Sequence, residues 1–328
     1  MNMRALSLRR PQRGLTLVEL MVGLVIGIVI SLAATALYLN VRETSRATQG
    51  LTDINETAKI VFDMVGREIQ KAGFYPAQFT TPSNLARGGK YYNGKAGNKP
   101  AFASGIYGCD NARYDPATQA CATPVPGTPD SIVLNYFTSP EFGAGSLFGN
   151  SNDCNRQPVS NDPDNVARAA GFPMFVSNRF GIDTSSSYTG PDGNTVAGGS
   201  LTCQGNGNDA GAGQPLVQGV IEMVIRYGVG SGGNELQSPT QFLDATHVNG
   251  LKPDGDGRQP WERVTAVSVC IVVRSLENAR LEDKAGTVRT YRDCRGTNVT
   301  LPTGNRYIYA SYMRVFAVRN NLNSVAAL

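Results

Sequence analysis

The chain has 328 residues, room for one large or two medium domains, with 41% hydrophobic and 17% charged residues, 37 Gly and 18 Pro; this is the composition of a loop-rich globular protein. Its formal charge of +4 comes from residues 1–14, where Arg4, Arg9, Arg10 and Arg13 stand without an acid: 30 Lys and Arg less these 4 leave 26, against 26 Asp and Glu. The rest of the chain is balanced, so net charge offers no argument for a nucleic-acid partner, and a single histidine, His247, excludes a multi-histidine metal site.

Residues 15–39, LTLVELMVGLVIGIVISLAATALYL, form a run of about 25 residues whose only charge is Glu19. As a helix this crosses ~30 Å of hydrocarbon, and the arginines before it keep the chain start in the cytoplasm. A secretory signal peptide has a shorter apolar core that ends in a small-residue cleavage site. A plain anchor does not explain an acid near the start of the helix, where an ionisable group costs several kcal/mol and normally has a partner.

The order Arg13-Gly14-Leu15-Thr16-Leu17-Val18-Glu19-Leu20 resembles the class III signal of type IV prepilins and type II secretion pseudopilins. The resemblance implies a leader, residues 1–14, removed by a membrane prepilin peptidase between Gly14 and Leu15, with methylation of the new N-terminus. The family usually has Phe at the first mature position; this chain has Leu15. The acid at mature position five, here Glu19, is then expected to pair with the N-terminal amine of a neighbouring subunit. Two opposite charges desolvated in lipid attract strongly while each alone is penalised, so the pair favours the correct axial register.

The helical pattern continues past the membrane. Leu51, Ile54, Ala58, Val61, Val65, Ile69 and Ala72 recur in steps of three and four, an amphipathic stripe, with Asp63 and Arg67 at i,i+4 on another face. Gly73 followed by Phe74-Tyr75-Pro76 is a stop signal. The reading is one helix from Leu15 to about Ala72, its 15–39 half transmembrane and its 40–73 half amphipathic, the stripe packing on the chain's own headgroup. A coiled-coil stalk would need more regular heptads. From residue 74 to 328 the chain changes character. Residues 80–130, rich in Gly, Pro, Asn and Ala, read as a long loop region. Strand-like runs follow at Ser131–Ser139, Pro173–Asn178, Leu216–Val229, Val264–Ser275, Val288–Arg292 and Tyr307–Arg319, with glycine-rich inserts at 181–215 and 228–260. A long N-terminal helix followed by strands argues for an α+β, pilin-like roll in which one antiparallel sheet covers the helix.

LVQGVIEMVIRYGV, then WERVTAVSVCIVVRSLEN, then YMRVFAVRNNL resembles in order the PilW-type minor pilins of type IV pilus assembly, relatives of the larger J-type minor pseudopilin of type II secretion. This implies a non-enzymatic subunit that helps to prime pilus assembly at the filament tip. Its implied partners are other minor pilins, the major pilin, the prepilin peptidase and the inner-membrane assembly platform. The implied location is the bacterial inner membrane in a single pass, N-terminus cytoplasmic and headgroup periplasmic, then the pilus at the cell surface. A minor pseudopilin of a type II secretion system and a tip-located adhesin or DNA-binding pilin are the alternatives.

Cys109, Cys121, Cys154, Cys203, Cys270 and Cys294 lie beyond the membrane segment without a close metal-binding pair, and an even number there reads as disulfides. Sequence-adjacent pairing is the simplest connectivity. Asp254 and Asp256 in a glycine turn have a spacing used by calcium loops, but no further acids and no terminal Glu complete the pattern, and a solvated turn is the plainer reading. No metal or cofactor is expected. No G-x-S-x-G or phosphate loop is present, so no catalytic residue is assigned. Lys90-Tyr91-Tyr92 with Lys95 and Lys99 is the local basic cluster with aromatics that DNA binding would use; a solvated loop is the commoner explanation of such a cluster.

Overall fold

The structure, a computed structural model, describes residues 16–74, 105–138, 152–159, 174–189, 193, 195–208, 213–230, 238–253, 259–278 and 288–322. Helix α1 runs from Leu17 to Lys71, 55 residues, about 80 Å at 1.5 Å per residue. Its buried positions are Gly50, Ile54, Ala58, Val61, Phe62, Val65, Gly66 and Ile69, so the stripe read from the sequence faces the core with one correction. Leu51 is exposed and Gly50 takes its place, because i−4 lies nearer than i−3 to the line through Ile54 at 3.6 residues per turn. The helix stops where expected. Gly73 adopts φ 76°, and its N–H donates to the carbonyl of Asn135 at 2.9 Å. Gly105 lies so close to this corner that a Cβ there would sit 2.1 Å from the nitrogen of Gly73.

The strands follow in chain order: β1 Ile106–Cys109, β2 Tyr114–Asp115, β3 Ala120–Cys121, β4 Ser131–Thr138, β5 Met174–Asp183, β6 Ser187–Thr189, β7 Thr195–Ala197, β8 Ser200–Gly205, β9 Gln214–Gln218 and β10 Val220–Val229. After them come β11 Gln241–Leu243, the short helix α2 Ala245–Asn249, β12 Val264–Arg274, β13 Thr290–Arg292, β14 Asn298–Thr300, β15 Tyr309–Ala317 and α3 Arg319–Leu322. The architecture is α+β, with a long apolar helix and an antiparallel headgroup. Among the described residues the single covering sheet expected from the sequence is instead two: a five-stranded sheet ordered β1-β4-β5-β8-β9 and a four-stranded sheet ordered β11-β10-β12-β15, beside three two-stranded ribbons.

Two corrections explain the extra sheet. The glycine-rich insert 181–215 contains the end of β5 and all of β6, β7 and β8. The run Leu216–Val229 is two strands, because Gly219 at φ 83° turns the chain from the first sheet into the second. Residues 105–130 likewise contain β1, β2 and β3 rather than loop alone.

Both sheets close on α1 around one core that joins Ile54, Val61, Val65 and Ile69 to Ile132, Leu134, Phe180 and Leu201 on one side and to Met223, Ile225, Val269 and Ile271 on the other. Burial of this apolar surface is the main stabilising contribution. At the sheet junction the indole of Trp261 packs against Tyr227 of β10 and Tyr107 of β1, with ring centroids 4.8 and 4.9 Å away. Glu68 fastens the helix to the five-stranded sheet: its carboxylate accepts from Lys71 Nζ at 2.7 Å and from Asn178 Nδ2 at 2.8 Å.

Candidate assembly site

The first turn of α1 is locked by its own sequence. Thr16-Leu17-Val18-Glu19 is a capping box: the Glu19 N–H donates to Thr16 Oγ1 at 3.2 Å, while the Thr16 N–H and hydroxyl each donate to Glu19 Oε2 at 3.0 Å. The carboxylate is thereby held at the positive end of the helix dipole, which favours an anion. Residue 16 directly follows Leu15, so the acid lies beside the position at which cleavage after Gly14 would create an amine. Gly14 and Leu15 themselves lie outside the described residues.

Every helix residue from Leu17 to Ser45 is exposed, and large apolar side chains point outward all round: Leu17, Leu20, Val25 and Ile30 are spread around the helix circumference at 3.6 residues per turn and all are open. An all-round apolar helix needs lipid or other helices as its surroundings, and this one is long and apolar enough to cross a membrane. Its hydroxyls need no water. Ser31 donates to the carbonyl of Gly27 and Thr35 to that of Ser31, both at 2.8 Å, which satisfies polar groups inside an apolar phase.

The cysteines form three disulfides, Cys109–Cys121, Cys154–Cys203 and Cys270–Cys294. The first ties β1 to β3, the second joins a turn at 152–159 to β8, and the third clips the β13–β14 turn onto β12. Asp254 and Asp256 lie outside the described residues, as does the Lys90–Lys99 cluster. Among the described residues no group of His, Cys, Asp and Glu is placed to hold a metal. His247 sits in α2, its ring 2.5 Å from the Asp244 carboxylate that caps the same helix. Thr16 is the site residue that the sequence reading passed over, although its T-x-x-E spacing to Glu19 was there to be read.

Two family models match the chain. A prokaryotic N-terminal methylation motif covers residues 9–35 and the type IV pilus-assembly protein W domain covers residues 181–320, together 167 of the 328 residues. The chain carries a PilW-type domain behind a prokaryotic N-terminal methylation motif. The methylation motif contains Gly14, Leu15 and Glu19, and the PilW-type domain contains the whole four-stranded sheet but only part of the five-stranded one. Among curated proteins none matches. Among solved structures, a type IV-like pilin from Thermus thermophilus is similar over 82% of this chain and 97% of its own, at 8% identity and a TM-score of 0.36; so loose a superposition carries no argument. The PilW-type assignment rests on the two family matches, and the α+β class on the helix and sheets already described.

Proposed function

We propose that this chain is a minor pilin: it is cut between Gly14 and Leu15, methylated at Leu15, and built into a type IV pilus near its tip with other pilin-like subunits, where it helps to prime assembly. The observation that carries this reading is the division of α1. Its first half is apolar and bare on every side, with Glu19 held at its start; its second half is the core of the headgroup. A subunit made this way leaves the membrane by exchanging lipid for neighbouring helices. The Glu19 carboxylate then exchanges its Thr16 donors for the amine of an adjacent subunit, a charge-assisted contact that is stronger than a neutral one. The leader faces the cytoplasm and the disulfide-bonded headgroup the periplasm.

The test is Glu19→Ala in the full chain in its own cell. The mature mass should begin at a methylated Leu15 in parent and variant alike, with equal amounts in the inner membrane and three intact disulfides in both. The variant should be strongly depleted from sheared pili, because loss of a desolvated charge partner costs about 3–5 kcal/mol. Normal incorporation of Glu19→Ala would sink the registry role. Recovery of the parent chain only with a short periplasmic filament would assign it to type II secretion instead.

A further inference from the structure

Four strand edges end the two sheets, and three of them are blunted. β1 has four residues, β9 has five and contains Pro215, and β11 has three. Short strands and proline are how proteins keep a sheet edge from pairing with another chain. β15 is different. It has nine residues, Tyr309–Ala317, without Pro or Lys. Its register with β12 runs unbroken from Ala266↔Ala317 to Arg274↔Tyr309. Among the described residues nothing pairs with its outer edge.

The side chains along that edge are also unusual. Met313 and Val315, on the face away from α1, are 72% and 54% exposed. Arg314 points to the other face, beside a groove between the strand and α1 that is lined by Phe62, Asp63 and Gly66. There Asp63 is already paired with Arg67, and Arg314 has no ion pair among the described residues. Residues 288–322 carry six arginines against the single acid Asp293; Arg306 and Arg319 lie before and after β15, likewise exposed. The strand runs parallel to the helix. Tyr312 hydrogen-bonds Asn55 at 2.8 Å, Phe316 faces Phe62 with ring centroids 6.2 Å apart, and Asn320 donates to the carbonyl of Ala72 at 2.9 Å.

We infer that the outer edge of β15 is a strand-addition site for a different pilin-like chain, whose incoming segment has apolar residues at alternate positions against Met313 and Val315 and an acid facing Arg314. Main-chain hydrogen bonds supply affinity in this mode and alternate side chains supply choice. Charge selects a different chain over a second copy: two β15 edges side by side would bring arginines together with no acid on either, and like charges across a strand pair are destabilising. The direction of β15 along α1 sets the edge upright on the flank, at the height where a neighbour standing in the same membrane presents its own headgroup. The inference rests on the assembly reading for the existence of such neighbours.

The test places a photo-crosslinking residue at Met313 of the full chain in the producing cell and, in a parallel sample, at Val25 in the apolar half of α1; crosslinked peptides are sequenced by mass spectrometry. Met313 should capture an extended segment of another chain that has its own apolar N-terminal helix, with an acid next to the captured residue. Arg314→Glu should lower that yield roughly fivefold, from attraction turned to repulsion across one strand pair, and leave the Val25 yield unchanged, which also shows that the variant is made and inserted. Capture at Met313 of a second copy, of nucleic acid or of nothing, while Val25 still captures other pilin-like chains, overturns the strand-addition site alone. The same holds for a yield that is indifferent to Arg314→Glu. Loss of capture at both positions overturns the assembly reading, and the site with it.

Discussion

Asp130 shows how one residue couples the two sheets. It is buried, and its carboxylate accepts from the N–H of Asn111 beyond β1 and from the N–H of Ile225 in β10, both at 2.9 Å, while its own N–H donates to the carbonyl of Met223. Burial raises its pKa above the usual carboxylate value, the two N–H donors oppose the rise, Asp110 adds to it and Arg295 lowers it. A carboxyl whose folded pKa lies above the unfolded value, about 3.9, contributes stability that is fully present below that value and is lost as pH rises through the folded pKa. Asp130→Asn cannot titrate. The stability of the parent relative to that variant should therefore fall as pH rises from about 4 into the window of the raised pKa, then level off. Denaturation in guanidinium at a series of pH values, followed by the fluorescence of the chain's one tryptophan, Trp261, reads this directly, since that side chain is buried at the same junction. A constant difference across the window would mean that Asp130 is not the group responsible.

At the scale of elements, the contact between α1 and β15 turns on one absent side chain. A Cβ at Gly66 would lie 2.3 Å from Cε1 of Phe316, so the ring lies directly on the helix backbone. Gly66→Ala improves helix propensity by about 1 kcal/mol, but overpacking of this kind costs typically 1–3 kcal/mol, and the ring is flanked by Phe62 and Arg314. The net expectation is a loss of about 1 kcal/mol, recovered at least partly in Gly66→Ala with Phe316→Leu. Fully additive losses in the double variant would show that the ring is not the obstacle. Such a pair was not legible in the sequence, where Gly66 and Phe316 are 250 positions apart. What is local was legible: the stripe of α1, the stop at Gly73, and β12, whose β-branched run reads as a strand whatever it pairs with. β5 was read only as far as Asn178 because Arg179 is charged yet buried and Gly181 follows it, which breaks the alternation that announces a strand. β8 was read as loop because Gly198 and Gly199 before it, Gly205 at its end and its polar residues resemble one, and the division into two sheets hangs on a single positive φ at Gly219. At the candidate assembly site the acid stood out because it is a charge in an apolar run, whereas Thr16 is ordinary in composition and significant only by spacing. The open edge of β15 was not, because a strand's neighbours are decided by distant parts of the chain.

For the whole molecule, α1 is two objects in one element. Residues 16–45 are all exposed and contribute no buried side chain to the headgroup core; burial begins at Arg46 and Ala47 and is complete at Gly50. A chain starting at Thr44 should therefore keep three disulfides, a buried Trp261 and the guanidinium midpoint of the full-length protein, and be freely soluble. A chain starting at Lys59 differs by only fifteen further residues but removes Gly50, Ile54 and Ala58 from the core and the Asn55–Tyr312 hydrogen bond. Ile54 alone, fully buried, corresponds to about 2–5 kcal/mol on the scale of large-to-small core changes, a large share of the 5–15 kcal/mol typical of a folded domain. The shorter chain should show a lower midpoint and a Trp261 spectrum shifted towards that of exposed indole. Equal midpoints for the two chains would mean that the sheets stand without the helix, and the headgroup could then swing on it. The expected difference means that the helix is as much the headgroup's core as it is the membrane's, so a neighbour that grips the bare half of α1 grips the folded sheets through one continuous rod.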